Sequence, residues 1–148
     1  MIELFPVGVV VERRNSASEW IDFSWNVVSV LTDIPAHADW TELRRGLDGV
    51  IYYAGSAAVE AHKTETANYR DNLTSGRPSL WVVLRPREEE PGVELALVTA
   101  DPAEGEAMTE VGDLIVEAVP MPPEIARRLA AFVAEHHVER AFVKRARE

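Results

Sequence analysis

The feature that most restricts the fold of this chain is a pair of apolar runs joined by a short charged turn. Residues 80–85 and 93–99 have the length and the branched or aromatic residues of strands, and the turn between them ends in Pro91-Gly92. Strands joined by so short a connection pair antiparallel, because a parallel pair needs a crossover of about a dozen residues or more. The sequence therefore predicts a β-hairpin here and a largely antiparallel sheet around it.

Further strands are predicted by the same criteria. They are expected at residues 5–13, 25–31, 50–54, 57–62 and 114–119. Gly55-Ser56 lies between two of these runs and predicts a second hairpin turn. Residues 33–49 are rich in turn formers and charge, so we expect an irregular segment with a short helical turn near residues 40–45.

Two helices are predicted from their start and stop signals. Thr64 is a suitable N-cap for a helix over residues 64–75, and Gly76 is a suitable stop. Asp101 is a suitable N-cap for a second helix, with Pro102 at its first position and Gly112 at its end.

The helix with the strongest sequence support is the last one, over residues 124–137. Its apolar side chains recur at intervals of three and four residues and form one stripe, which faces a core. The stripe consists of Ile125, Leu129, Phe132, Val133 and His136.

Together these elements predict a single α+β domain over residues 1–140. We expect a largely antiparallel, strongly curved sheet of about seven strands with two or three helices, including the C-terminal amphipathic helix. A small closed barrel capped by that helix is the alternative. Residues 141–148 are expected to form a basic C-terminal tail. The length of 148 residues suits one domain.

Composition excludes several classes of function. The chain has 25 acidic and 15 basic residues, a net charge of −10, and phosphate backbones repel such a chain, so we expect no nucleic-acid partner. Cysteine is absent, which excludes disulfides and thiolate metal sites. There is no secretory signal, membrane span, phosphate-binding glycine loop or dinucleotide fingerprint, so we predict a cytoplasmic protein with no cofactor, no bound metal and no membrane contact.

Candidate ligand-binding residues are few. His62 and Glu65 lie at a strand-to-helix junction and form the best catalytic pair, although such a histidine more often caps or packs, and we assign no catalytic residue. An anionic ligand would need arginines, and the main candidates are Arg70 and Arg85. Further arginines that suit the same role are Arg13, Arg14 and Arg87.

Candidate partner-binding residues lie in a loop and in the tail. Trp40 falls in the irregular segment, where an exposed aromatic ring anchors a partner or packs at the edge of the core. The tail contributes Lys144, Arg145 and Arg147, whose simpler role is to keep the tail solvated.

Several strings occur together in order along nearly the whole chain. They are FPVGVVVERR at 5–14, YYAG at 52–55, ET at 65–66, YR at 69–70, NL at 72–73, WVVLRP at 81–86, VEAVPMPP at 116–123, HHVE at 136–139 and FVKR at 142–145. In these strings the chain resembles a small bacterial family of unknown function, whose genes often lie near those of molybdenum-dependent formate dehydrogenase.

The resemblance implies a context rather than a reaction. It implies a non-catalytic accessory or assembly protein, linked to formate dehydrogenase maturation, that binds an enzyme subunit or the product of a neighbouring gene. The alternative is a binder or small enzyme for a phosphorylated ligand of the molybdenum-cofactor type. A third hypothesis is a structural module that forms a homodimer through an edge strand.

Overall fold

The computed structural model describes residues 2–15 and 23–146, with side chains in these ranges as far as His137. Seven strands and three α-helices lie in the described ranges, and one 3-10 turn, Lys63–Glu65, precedes the first helix. In chain order they are β1 (Ile2–Asn15), β2 (Phe23–Leu31), β3 (Thr41–Arg45), β4 (Gly49–His62), α1 (Thr66–Leu73), β5 (Ser79–Pro86), β6 (Val93–Thr99), α2 (Pro102–Thr109), β7 (Ile115–Pro120) and α3 (Pro123–Ala146).

The strands form two antiparallel sheets around one core. The first sheet has the order β2-β1-β4-β3, and the second has the order β6-β5-β7. This confirms the predicted α+β class, the antiparallel pairing and the number of strands. The strands are divided between two sheets, and neither sheet closes, so the alternative of a closed barrel is wrong. The predicted hairpin is confirmed by the register of β5 against β6, in which Trp81 pairs with Thr99 and Pro86 with Val93.

The long pair of β1 and β4 forms the centre of the first sheet. Residues 50–54 and 57–62 were expected as two strands, but they belong to the single strand β4. Gly55 has a φ of 139°, and the register slips there by one residue, because Val9 pairs with Gly55 and Val10 with Tyr53. Gly55 therefore makes a β-bulge inside a continuous strand rather than a hairpin turn.

The expected helical turn near residues 40–45 is also wrong, because Thr41–Arg45 is the edge strand β3. The backbone N–H of Trp40 donates to the Tyr53 carbonyl at 2.6 Å, and Thr41 pairs with Tyr53 in the ladder. Pairing with β4 thus fixes an extended conformation that local sequence did not indicate.

Helix α3 covers the core with the predicted stripe. All five of its stripe residues are buried, and the Phe132 ring lies 6.4 Å from the ring of Tyr69 on α1. The helix continues to Ala146, past its predicted end and into the segment expected as a tail. No helix in the described ranges is long and apolar enough to cross a membrane.

The starts of the other two helices differ in how well the sequence predicted them. Asp101 caps α2, because its carboxylate accepts from the Ala103 N–H at 2.9 Å, as predicted. Thr64 does not cap α1: it lies inside the 3-10 turn, and the N-cap position is held by Glu65 without a side-chain hydrogen bond.

Candidate arginine–aromatic surface

Three aromatic side chains meet at one end of the first sheet. The ring of Trp40 lies 5.8 Å from that of Trp25 and 5.7 Å from that of Tyr52, both in edge-to-face geometry. Trp25 and Tyr52 are 6.2 Å apart. Tyr52 is buried, whereas Trp25 and Trp40 are half-buried against the core. The cluster is therefore a continuation of the core that reaches solvent.

Strand register brings these rings together. Trp25 on β2 pairs with Arg13 on β1, and Tyr52 on β4 pairs with Val11. Since alternate residues of a strand share a face, Val11 and Arg13 point to the same side, and their partners do as well. Trp40 joins them from the turn before β3, with its backbone at a φ of 63°. A left-handed conformation is uncommon for a bulky residue and marks a locally strained site.

Arg13 lies between two aromatic rings of this group. Its guanidinium carbon is 4.4 Å from the centre of the Phe23 ring and 5.6 Å from that of Tyr52. Its Nε is buried, and among the described residues no acceptor lies within hydrogen-bond distance of it. A buried N–H without an acceptor costs about 1–3 kcal/mol.

The neighbouring arginines are paired with carboxylates. Arg45 donates two hydrogen bonds to Glu42, at 2.7 and 2.9 Å, and this bonding lowers the pKa of the Glu42 carboxyl. Arg14 lies 3.4 Å from Glu12. The carboxylates of Glu12 and Glu42 are thus paired with other arginines, and Glu42 interacts with Arg13 only electrostatically, at longer range.

Arg87 reaches the same cluster from the β5–β6 hairpin of the second sheet. Its guanidinium carbon is 5.8 Å from the Trp40 ring centre, and it donates to the main-chain carbonyl of Glu90. The Nε of Arg87 is buried, and no acceptor within the described ranges is in reach of it. We call these six residues the arginine–aromatic surface: Arg13, Phe23, Trp25, Trp40, Tyr52 and Arg87.

The sequence-predicted ligand residues occupy other parts of the fold. His62 and Glu65 lie together at the end of β4, where the His62 N–H donates to the Tyr69 hydroxyl at 3.0 Å. The His62 ring is 3.5 Å from the Glu60 carboxylate. Glu65 accepts from Asn68 at 3.2 Å. The junction is therefore connected to α1 by several polar contacts.

Arg70 and Arg85 are not brought to that junction. Arg70 projects from α1 and bonds His137 of α3 at 2.9 Å, whereas Arg85 lies on β5 beside Glu94 of β6 at 3.2 Å. Each is exposed and already has a partner. The four predicted ligand residues therefore do not form one site.

Of the predicted partner-binding residues, Trp40 lies within the arginine–aromatic surface. Lys144 and Arg145 fall on the last turns of α3, where the structure describes the backbone only, and Arg147 lies outside the described residues. Among the residues that are described, no group of three histidine or acidic side chains is placed to hold a metal ion.

A separate shallow cavity of about 250 Å³ lies beside the β3–β4 turn. It is lined by Glu12, Arg14, Arg44, the turn residues 46–49 and Ile51. Leu47 at the tip of the turn is 98% exposed. The cavity is thus formed around an exposed turn rather than inside the core.

The fold and this surface define a two-sheet α+β protein with a half-exposed cluster of aromatic rings and arginines. A family model for proteins of unknown function, DUF3305, matches residues 6–146, so the chain belongs to that family. This confirms the expected membership in a family of unknown function. No curated protein and no solved structure shows significant similarity to the chain.

Sequence reasoning identified some members of the surface but not their association. Trp40 was predicted as a partner-binding residue, and Arg13 and Arg87 were named for an anionic ligand. The roles of Trp25 and Tyr52 were missed. The spacing of two residues between Trp25 and Val27, and between Val50 and Tyr52, was a usable signal, because such residues share one face of a strand. Only long-range pairing brings these strands to Trp40 and Arg87.

Proposed function

We propose that this protein is a non-catalytic accessory protein that binds a protein partner through the arginine–aromatic surface. The supporting observation is the meeting of Trp40, Trp25 and Tyr52 with two stacked arginines at a half-exposed end of the core. Tryptophan, tyrosine and arginine are the residue types that contribute most of the binding energy in protein interfaces.

The proposed partner is a formate dehydrogenase subunit or the product of a neighbouring gene, and the proposed process is maturation of that enzyme. The sequence resemblance supports this choice of partner and process. The same proposal includes a cytoplasmic location. The basic residues near the C-terminus, Lys144, Arg145 and Arg147, are proposed as a second contact with the partner.

The polar contacts around His62 and Glu65 support a structural role for that junction. Asn68 donates both to Glu65 at 3.2 Å and to Asp101 at 3.1 Å, and Asp101 in turn caps α2. The junction therefore ties α1 to the start of α2. Because the side chains at this junction are engaged in hydrogen bonds between elements, they support a structural role rather than general acid–base catalysis.

Affinity capture from the native host, grown with formate and molybdate, tests the proposal. The tagged wild-type chain should enrich a formate dehydrogenase subunit or a neighbouring-gene product, as identified by mass spectrometry. Trp40→Ala should lose most of this enrichment. Val111→Ala should keep it, because Val111 is an exposed apolar residue that follows α2 and is not one of the six residues of this surface.

Charge reversal tests the C-terminal contact without shortening α3. Lys144→Glu with Arg145→Glu should reduce capture if these cations attract the partner. Deletion of residues 141–148 is a harsher version of the same experiment, because it removes the helical residues as far as Ala146. Unchanged capture in both variants would remove the C-terminal residues from the proposal.

One observation favours a second candidate function, the binding of a phosphorylated ligand of the molybdenum-cofactor type. Arg13 and Arg87 each have a buried Nε that no described acceptor satisfies, and anions satisfy such donors. Nucleotides and pterin phosphates should then raise the melting temperature at saturating concentration. No rise with any of them would exclude this candidate.

A further inference from the structure

The stacking of Arg13 determines where its hydrogen-bond donors point. A guanidinium packed against a ring keeps its five N–H groups in its own plane, so its outer edge can meet a carboxylate in a two-point contact. The rings of Phe23 and Tyr52 hold Arg13 in this way. The side chain is thereby ordered before any ligand binds, which lowers the entropic cost of binding.

No described carboxylate forms a hydrogen bond or an ion pair with Arg13, and Glu42 interacts with it electrostatically only at longer range, so Arg13 remains available to an external anion. Glu42 is engaged by Arg45 through two hydrogen bonds, and Glu12 lies beside Arg14. Arg87 has only a neutral main-chain carbonyl as acceptor among the described residues. In a chain with 25 acidic residues, these two arginines contact aromatic rings and form no ion pair with a described carboxylate.

Aromatic rings lie between the two guanidinium groups. Arg13 contacts Tyr52, Tyr52 contacts Trp40, and Trp40 contacts Arg87, with separations of 5.6, 5.7 and 5.8 Å. The rings of Tyr52 and Trp40 thus separate the two guanidinium groups along this series of contacts, so each arginine is a distinct anion contact. A single small anion is recognised by donors that converge on one point, whereas this arrangement fits a ligand that is extended.

We propose that the arginine–aromatic surface binds an acidic segment of the partner protein. One carboxylate pairs with Arg13, a second pairs with Arg87, and an apolar side chain between them lies on the rings of Trp25 and Trp40. This inference rests on the proposed function, because it names the chemistry of the partner at the same surface. The net charge of −10 repels long acidic chains, so recognition is limited to a short segment.

Paired peptide arrays test this chemistry without knowledge of the partner. One array presents short peptides with two glutamates or aspartates on either side of a leucine or phenylalanine. The second array presents the same peptides with glutamine or asparagine in place of each acid. The labelled full chain should bind members of the first array and not their amide counterparts, because amides lack the charge that pairs with arginine.

Arginine-to-lysine variants assign the binding to this surface. For the strongest peptide, fluorescence polarisation should show about tenfold weaker binding with Arg13→Lys and with Arg87→Lys, because lysine keeps the charge but loses the two-point contact. Arg77→Lys, at an exposed arginine of the α1–β5 loop, is the matched control and should bind like wild type. The variant Arg87→Lys carries the test independently if Arg13→Lys unfolds.

Four results of the peptide experiments would overturn the inference. They are equal binding to the acidic and amide arrays, binding to neither array, an unchanged affinity in both lysine variants, and full displacement of the peptide by inorganic pyrophosphate, which would indicate a small-anion site.

Capture experiments separate this inference from the proposed function. If acidic peptides bind through Arg13 and Arg87 but no formate dehydrogenase component is captured, the identity of the partner is wrong and the surface chemistry stands. If capture is unchanged in Arg13→Lys and Arg87→Lys, the accessory function stands and this inference is wrong.

Discussion

The ring of Trp40 meets the ring of Tyr52 edge to face, with centroids 5.7 Å apart and planes inclined by 74°. This pair connects a turn to the central strand β4, one residue from the point where the Trp40 N–H bonds the Tyr53 carbonyl. Packing and the hydrogen bond together hold Trp40 at a φ of 63°. A backbone strain of about 1–3 kcal/mol is offset in this way, and the ring is placed at the surface.

The left-handed backbone at Trp40 predicts that glycine destabilises the protein less than alanine does at this position, which is the reverse of the usual order. Trp40→Gly and Trp40→Ala both lose the ring contacts, but only glycine adopts a φ of 63° without a steric penalty. Trp40→Gly should therefore be more stable than Trp40→Ala by about 1 kcal/mol in denaturant unfolding. If the alanine variant is the more stable of the two, this turn relaxes to an ordinary conformation and the strain argument is wrong.

Local signals in the sequence were sufficient for most elements of the fold. The hairpin of β5 and β6, the Asp101 cap and the stripe of α3 each depend on residues close in sequence, and all three were predicted. The Thr64 cap was a local failure, whereas the two strand errors involve contacts between distant residues. Residues 41–45 are extended because they pair with β4, next to the hydrogen bond from the Trp40 N–H to the Tyr53 carbonyl. Strand β4 remains continuous across the bulge at Gly55 because it pairs with β1 on both sides of the bulge.

The candidate surface was harder to predict than the fold for a related reason. It combines residues from β1, β2, β4, the turn before β3 and the β5–β6 hairpin, so its members are far apart in sequence. Each residue alone has an ordinary structural explanation. Only the paired register and the approach of the two sheets reveal that Arg13 and Arg87 share one aromatic cluster.

Asn72 on α1 has a structural role that the sequence did not reveal. Its amide nitrogen donates to the carbonyls of Ser79 and Ala100 at 2.8 and 2.9 Å, and its oxygen accepts from the Ser79 N–H at 3.0 Å. The residue is 3% exposed. One buried amide thus joins α1 to the start of β5 and the end of β6.

Replacement of Asn72 should be costly because three backbone groups, one of them buried and two partly buried, would lose this hydrogen-bond partner. Asn72→Ala should lower the free energy of unfolding by about 2–4 kcal/mol. Asp71→Ala, at the exposed neighbouring position, should change it by less than about 0.5 kcal/mol. Denaturant unfolding measures both variants, and equal effects would show that the Asn72 hydrogen bonds contribute little.

Tyr69 predicts a dependence of stability on high pH. Burial raises the pKa of its hydroxyl from 10.0 to about 12. Because the folded pKa is above the unfolded one, the stabilising contribution is complete below about pH 10 and is lost as the pH rises through about 12. The free energy of unfolding of wild type should therefore fall more steeply between these values than that of Tyr69→Phe.

Absorbance of the tyrosinate form provides a direct measurement for the same group. The difference between the titrations of wild type and Tyr69→Phe isolates one of the three tyrosines. Its midpoint should lie near 12. A midpoint near the ordinary value for tyrosine would mean that the hydroxyl is accessible to water, contrary to its hydrogen bonds with His62 and Glu60.

Gly105 on α2 lies directly against the indole ring of Trp81, and this contact predicts an unfavourable substitution. A Cβ added at Gly105 would overlap the Trp81 Cγ, which no side-chain packing permits without movement. Gly105→Ala should therefore destabilise the protein by about 1–3 kcal/mol, although alanine is normally preferred inside a helix. Gly112→Ala is the matched control, because no atom lies within 4 Å of its added Cβ, and it should be neutral or slightly stabilising.

Combining Gly105→Ala with Trp81→Leu should destabilise the protein by less than the sum of the two single variants, since the smaller side chain leaves room for the methyl group. Strictly additive free energies in denaturant unfolding would show that α2 moves away from β5 to accommodate alanine.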